Sequence, residues 1–374
     1  MLSSGTSTDT STNKSKGGFL RWMSMTALVG AVLMGTARKS QAADVQVSNN
    51  TDVVNGDTSS VANLIATPGV DGISLREAII ASNNTAGANS IDFAPAVTGS
   101  ITLDPYSGLS ITDETTITGA DAATLAIRGG GNSRVITAPA FYVQGPPVYG
   151  YDYYGNPYVL YFMPGSYERR PVTISGLTIG DGNATDGGGV FVGFSRTVTL
   201  NNCVVTGCNA SNSGGAVFVD DQSFYYSSYD TQLNINGSTI SNNTAGYYGG
   251  AIRANNDSNN TIVSLYNSTV SGNSSGDRGG GIFLSSGVTL YVENSTLTNN
   301  SSNQNGGAIF AGYNVAIDIT DSTVSGNSGR RGGAISLYDA NSASISDSTF
   351  DSNTALYGGG AIDSARTDLY IGSS

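Results

Sequence analysis

Histidine is absent from all 374 residues, which excludes imidazole nucleophiles, imidazole acid–base pairs and histidine metal sites. Lysine occurs only at Lys14, Lys16 and Lys39, cysteine only at Cys203 and Cys208, and charged side chains make up 12% of the chain. The apolar run Met23–Gly35 is shorter than the ~20 residues a membrane-spanning helix requires, so no transmembrane segment is expected in the mature chain. Beyond residue 43 no lysine remains, and 11 arginines face 27 acidic residues, a net charge of −16. A surface of that sign repels nucleic acid and anionic lipid, so neither is expected as a partner.

Glycine, by contrast, is abundant at 50 residues, about twice the usual share. A glycine pair leading into a β-branched residue recurs seven times, ending on Val190, Val217, Ile252, Ile282, Ile309, Ile335 and Ile362. The steps between them are 27, 35, 30, 27, 26 and 27 residues. A fixed period in this range marks a solenoid, in which a coil buries its apolar face only by stacking on copies of itself.

A second motif keeps the same register, as in Asn267-Ser-Thr-Val270, Asn294-Ser-Thr-Leu297 and Asp321-Ser-Thr-Val324, and an asparagine follows three residues later at Asn243, Asn273, Asn300, Asn327 and Asn353. Apolar residues alternate with polar ones at Leu233/Ile235, Val263/Leu265, Leu290/Val292 and Ile317/Ile319. Period-two alternation predicts strands with one buried face, two or three to a coil, and no stretch of the repeats has the 3.6-residue period of helical repeats. The fold expected is all-β, a right-handed parallel β-helix. Glycine suits turn positions with positive φ or close backbone approach, and stacked asparagines hydrogen-bond up a ladder.

Residues 1–43 read as an export signal: Lys14, Lys16 and Arg21 precede the apolar run, and Ser40-Gln41-Ala42 offers a small-residue cleavage site. Residues 44–96 are expected to form an N-terminal cap with one short helix over Ser74–Ser82, opened by a capping box of Ser74 and Glu77. Residues 97–137 read as the first irregular coils, 138–170 as a tyrosine-rich insertion, 171–365 as seven regular coils and 366–374 as the start of an eighth. Leu369 and Ile371 fall at inward positions of that last coil, so the chain is expected to be part of a longer exported protein.

Phe350-Asp-Ser-Asn353 followed by Gly359-Gly-Ala-Ile362 resembles the repeat of polymorphic outer-membrane proteins, which pairs Phe-x-x-Asn with Gly-Gly-Ala-Ile. The run Ile73–Ile79, Ile-Ser-Leu-Arg-Glu-Ala-Ile, is similar to the Cys-Ser-Leu-Arg-Glu-Ala domain that opens many secreted bacterial β-helices, with Ile73 in place of its cysteine. These resemblances imply a secreted or cell-surface, outer-membrane setting and an adhesin-like or autotransporter-passenger role.

Chemistry is sought where the repeat is broken. Phe141–Tyr167 holds eight of the 20 tyrosines, among them Tyr149, Tyr151, Tyr153, Tyr154 and Tyr158, punctuated by Gly and Pro as in a loop thrown out from a coil. Tyrosine offers rigid contact area with a polar tip, suiting glycans or cell-surface proteins, while the alternative is a cover for the core. A second insertion, Asp220–Asp230, repeats the acidic and aromatic character. The outward position after each glycine pair reads Phe191, Phe218, Arg253, Phe283 and Phe310 through the first five coils, an expected exposed aromatic stripe or a cation–π ladder. An alternative enzyme reading, a polysaccharide lyase or hydrolase, needs a cluster such as Asp181, Asp186, Asp220, Asp221 and Arg253, although no family motif accompanies these residues. A purely structural stalk is the third reading. Cys203 and Cys208 are a candidate disulfide if the turn between them bends. No cofactor and no metal site is expected.

Overall fold

The computed structural model describes residues 42–152, 154, 156–163, 165–220, 230–256 and 261–373. The export-signal reading of 1–43 therefore lies almost wholly outside the described residues, as do Tyr153 and Asp221.

The chain winds as a parallel β-solenoid of four sheets, with 11, nine, seven and nine strands among the described residues. A regular coil visits them in turn, as in Thr231–Asn236, Thr239–Ser241, Thr244–Ala245 and Ile252–Ala254. That is four strand segments per coil rather than two or three, because the asparagine corner carries a two-residue strand of its own. Pairing between coils is parallel and in register. On the first sheet Leu233, Val263, Leu290, Ile317, Ala343 and Leu369 stack in one inward column. Leu233, Val263 and Leu290 are fully buried, and their alternation with polar neighbours holds the register, since a one-residue slip turns the whole set outward.

The two glycines of the pair do different work. The first has positive φ in six successive coils, at Gly187, Gly214, Gly249, Gly279, Gly306 and Gly332, a backbone region open to glycine at little cost. The second lies against the next coil: a Cβ on Gly215, Gly250 or Gly307 would stand 2.2, 2.2 or 2.1 Å from the carbonyl oxygen of Gly250, Gly280 or Gly333. The residue after the pair points inward, and Ala216, Ala251, Ala308 and Ala334 are fully buried.

Two buried polar ladders run inside the corners. The Oγ of Ser268, Ser295, Ser322 and Ser348 each accepts the backbone N–H of the serine one coil below, at 3.0–3.1 Å. Asn243, Asn273, Asn300, Asn327 and Asn353 are linked amide to amide at 2.9–3.0 Å. Cys203 and Cys208 occupy the lowest rung of each ladder, their N–H groups donating to Ser238 Oγ at 3.0 Å and Asn243 Oδ1 at 2.9 Å. Both thiols are free and buried, which corrects the disulfide expectation. The strand Val204–Thr206 separates them, and each thiol lies against main-chain carbonyls, Ile174 and Asn201 for Cys203 and Thr206 for Cys208. Below Cys203 Leu177 is apolar and buried and below Cys208 stands Gly182, so a thiol, weakly polar and compact, ends each ladder without leaving a strong donor unpaired.

The N-terminal end is closed by two helices, not one. Helix α1, Val61–Ala66, starts at Ser60, whose side chain accepts the Asn63 N–H. Helix α2, Leu75–Asn83, carries the capping box of Ser74 and Glu77. The Glu77 carboxylate is fully buried and accepts the N–H groups of Asn55 and Gly56 at 2.7 Å and of Ser74 at 2.8 Å, so its charge is solvated by backbone.

Candidate functional site

The departures from the regular coil gather at one corner, where the chain passes from the fourth sheet back to the first. In most coils that corner is a tight turn, such as residues 193–196 between Val190–Val192 and Thr197–Asn201. Residues 139–171 occupy the same corner in another coil, and Asp220, Asp230, Asn255 and Asn256 lie at it in later ones.

The longest departure is a β-hairpin rather than a loop. Pro147–Tyr151 pairs antiparallel with Pro157–Phe162, with a register shift at Leu160, and Tyr142–Val143 pairs with Ser166–Tyr167 at its base. Asp152 closes the tip, its Oδ1 accepting the N–H groups of Tyr154 and Asn156 at 2.8 Å. The base is anchored by aromatic and ionic contacts. Tyr167 meets Phe194 edge-on at 4.3 Å and Tyr142 at 5.1 Å. Arg170 lies 3.5 Å over the Phe141 ring and pairs with Asp113 at 2.9 Å.

Beneath the anchor Arg196 is fully buried, donating to the carbonyls of Thr112 at 3.1 Å and Ile111 at 3.0 Å. Its side chain reaches two coils down, into the corner the hairpin vacates. Burial, reinforced by the Arg170 charge, pushes its pKa down to about 10, so it stays protonated at neutral pH. No sequence pattern singled out Arg196.

Beyond its base the hairpin is exposed. Every residue of Pro157–Phe162 is open to solvent, and Tyr149, Tyr151, Tyr154 and Tyr158 are 54%, 69%, 85% and 50% accessible. The described tyrosines of the insertion thus form a protruding aromatic blade, not a cover.

The phenylalanine column behaves in the opposite way. Phe191, Phe218, Arg253, Phe283 and Phe310 do stack in register on the outer side of the fourth sheet. The stripe is nevertheless covered: Phe218, Phe283 and Phe310 are 6%, 7% and 4% accessible, which corrects the expectation of an exposed strip. Phe191 stacks on Phe218 at 5.9 Å and Phe283 on Phe310 at 5.1 Å. Arg253 bridges the pairs, 5.1 Å from Phe218 and 5.9 Å from Phe283, while Arg134 covers Phe191 at 4.7 Å, Arg278 covers Phe310 at 5.2 Å and Tyr248 packs on Phe283 at 4.6 Å. This is the cation–π ladder, an outer seam that rivets neighbouring coils.

The acidic candidates are not brought together. Asp181 sits at the corner between the second and third sheets, paired with Arg128 at 2.5 Å, and the Asp186 carboxylate accepts the Asn212 amide at 2.8 Å. Asp220 follows Val217–Val219 at the hairpin corner, across the fourth sheet from both, and Arg253 is committed to the aromatic seam. Among the described residues no group of three or more acidic or cysteine side chains is placed to hold a metal ion.

The family described as Chlamydia polymorphic membrane protein repeat matches residues 237–255, 294–312 and 347–365. Each match runs from the Asn/Asp-Ser-Thr corner, through the ladder asparagine, to the strand after the glycine pair. The chain is a β-helix, and three of its coils are similar to this repeat. The matched segments hold the two ladders and the glycine turn, so the resemblance resides in the scaffold, and the hairpin lies outside it. Among solved structures the A-module of the Azotobacter vinelandii mannuronan C-5 epimerase AlgE6 aligns with 78% of this chain and 94% of its own, at 12% identity and a TM-score of 0.28. No curated protein matches the chain significantly.

Proposed function

We propose that this protein is a secreted or surface-displayed bacterial β-helix that works by contact, adhesin-like, with the aromatic hairpin as its contact element. The observation that carries this reading is the hairpin itself. An acidic solenoid holds a tyrosine-rich blade away from its body on a rigid, ion-paired base. Rigid aromatic side chains with polar tips bind glycan faces and protein surfaces at low entropic cost. The repeat family supports the surface setting, since its description is that of a membrane protein. The non-catalytic part of the reading is supported by the separation of Asp181 and Asp186, each engaged by its own partner.

The test compares the full chain with a variant lacking residues 142–167 on a glycan array and on a panel of bacterial and host cells. Hairpin-dependent binding, with unchanged circular dichroism, is expected. Binding that survives the deletion refutes the hairpin as contact element. Depolymerisation of a polysaccharide by the wild type, abolished by Asp220→Ala, refutes the non-catalytic reading.

A further inference from the structure

The hairpin carries an unpaired edge of unusual composition. Pro157–Phe162 pairs on one side with Pro147–Tyr151, and neither strand joins a solenoid sheet. Tyr158–Met163 is six consecutive apolar or aromatic residues without charge, proline or glycine, and the prolines that would interrupt it, Pro157 and Pro164, stand just outside. Soluble proteins break such edges with charge, proline, a bulge or cover, and here the register shift at Leu160 is the one interruption within the described strand. Six-residue segments of this composition are those that stack on copies of themselves. A lone two-stranded hairpin is also marginal in water, whereas a wider sheet is not.

Charge and area favour the same occupant. The hairpin's one ionisable acid, Asp152, already accepts the tip N–H groups, in a mature chain whose net charge is −16. Two copies therefore meet with least repulsion at this blade. With Tyr149, Tyr151, Tyr154 and residues 158–163 each 45–85% accessible, these nine side chains expose roughly 1,000 Å² at full residue areas of about 200 Å². A standard interface buries about 800 Å² per partner.

We propose that the strand Pro157–Phe162 pairs antiparallel with the same strand of a second copy, joining two hairpins into a four-stranded sheet and two β-helices into a homodimer. The proposal rests on the reading of the hairpin as contact element and names its partner. A two-fold axis normal to the sheet at Leu160 makes the contact isologous. It brings Tyr158, Val159, Tyr161 and Phe162 of both copies to the seam, aromatic and β-branched side chains of the kind that stabilise antiparallel sheets.

Sedimentation equilibrium of the full chain over roughly 0.1–100 μM, the range of moderate protein affinities, tests it. A monomer–dimer equilibrium is expected. The double substitution Val159→Lys, Tyr161→Lys places four like charges along the seam and raises Kd on the order of 100-fold or more. Leu369→Lys, in the last described strand of the first sheet, leaves Kd unchanged. A wild type that stays monomeric throughout overturns the proposal, as does a dimer with unchanged Kd in the double variant or one lost only in Leu369→Lys. The two readings separate cleanly. Hairpin-dependent glycan binding by a strictly monomeric chain sinks the dimer and spares the contact element. A dimer broken by the lysines, in a protein whose binding to glycans and cells survives hairpin deletion, supports the dimer and sinks that reading.

Discussion

Asn300 gives the sharpest test of what holds the coils together. Its Oδ1 accepts the Asn273 N–H at 3.1 Å and the Asn273 Nδ2 at 3.0 Å. Its Nδ2 donates to the Val270 carbonyl at 2.9 Å and to Asn327 Oδ1 at 3.0 Å. In Asn300→Ala the main-chain N–H of Asn273 loses its partner inside a corner with no solvent exposure. Asn273 Nδ2 keeps the Ile240 carbonyl, and Asn327 Oδ1 keeps the main-chain N–H of residue 300. One buried donor is thus orphaned, at about 1–3 kcal/mol, and the three other lost bonds are each worth about 1 kcal/mol, for a total of about 4–6 kcal/mol. Asn303→Ala, exposed on the next turn, should cost less than about 0.5 kcal/mol. Urea unfolding followed by circular dichroism measures both, and the slope must be compared because a solenoid can lose cooperativity around a weakened rung. Asn300→Asp adds a check on sign. A carboxylate there faces Asn327 Oδ1 and the Val270 carbonyl with no proton to give, so its folded-state pKa rises above the unfolded value. Between those two values the folded state binds more protons, and the variant gains stability as pH falls. A loss below about 1 kcal/mol in Asn300→Ala, no larger than the surface control, would refute the claim that the amide ladder carries the corner.

Three further outcomes follow from the packing. Gly250→Ala puts a methyl carbon 2.2 Å from the Gly280 carbonyl and 2.4 Å from that of Ser274; both are backbone, so a loss above about 3 kcal/mol or failure to fold is expected, as for other overpacked or strained sites. Gly360→Ala meets only the Asn353 carbonyl, at 3.2 Å, and its thermal midpoint should stay within a few degrees, ~1 kcal/mol at this size. Burial pushes the Cys208 thiol up to about 12 and raises that of Cys203, so Ellman's reagent should find no reactive thiol in the native chain and two after unfolding without reductant; rapid native labelling, or no thiol after unfolding, contradicts the ladder assignment. Arg253→Ala removes the cation between Phe218 and Phe283 and should cost about 2 kcal/mol with a rise in dye binding to exposed aromatics, while a stability unchanged from wild type refutes the seam.

What was legible in the sequence is what each coil states locally. The alternation Leu233/Ile235 or Leu290/Val292 specifies an inward face because strand side chains have a period of two, and the asparagine spacing specifies a corner because every coil repeats it. The capping box at Ser74 was legible for the same reason, being complete within four residues. Helix α1 was not, since six residues with only Val61 and Leu64 buried make no recognisable period.

The errors share a cause that bears on where function resides. The direction of the phenylalanine column was set by local alternation, but its exposure was set by Arg134, Arg253, Arg278 and Tyr248, side chains from other coils that no single repeat contains. The cysteines suggested a bond by number, while the stacking of coils placed each at the foot of a different ladder. In a solenoid the third dimension is supplied by the next coil, so any residue that obeys the repeat finds its partner one coil away and is absorbed into the scaffold. The aromatic seam, the serine and asparagine ladders and the glycine turn are all absorbed in this way. The hairpin 141–167 breaks the repeat, joins no solenoid sheet among the described residues, and beyond its base leaves Tyr149, Tyr151, Tyr158 and Tyr161 open to solvent. Coil stacking accounts for the seam and the ladders, so the exposed hairpin is the place to test the proposed contact.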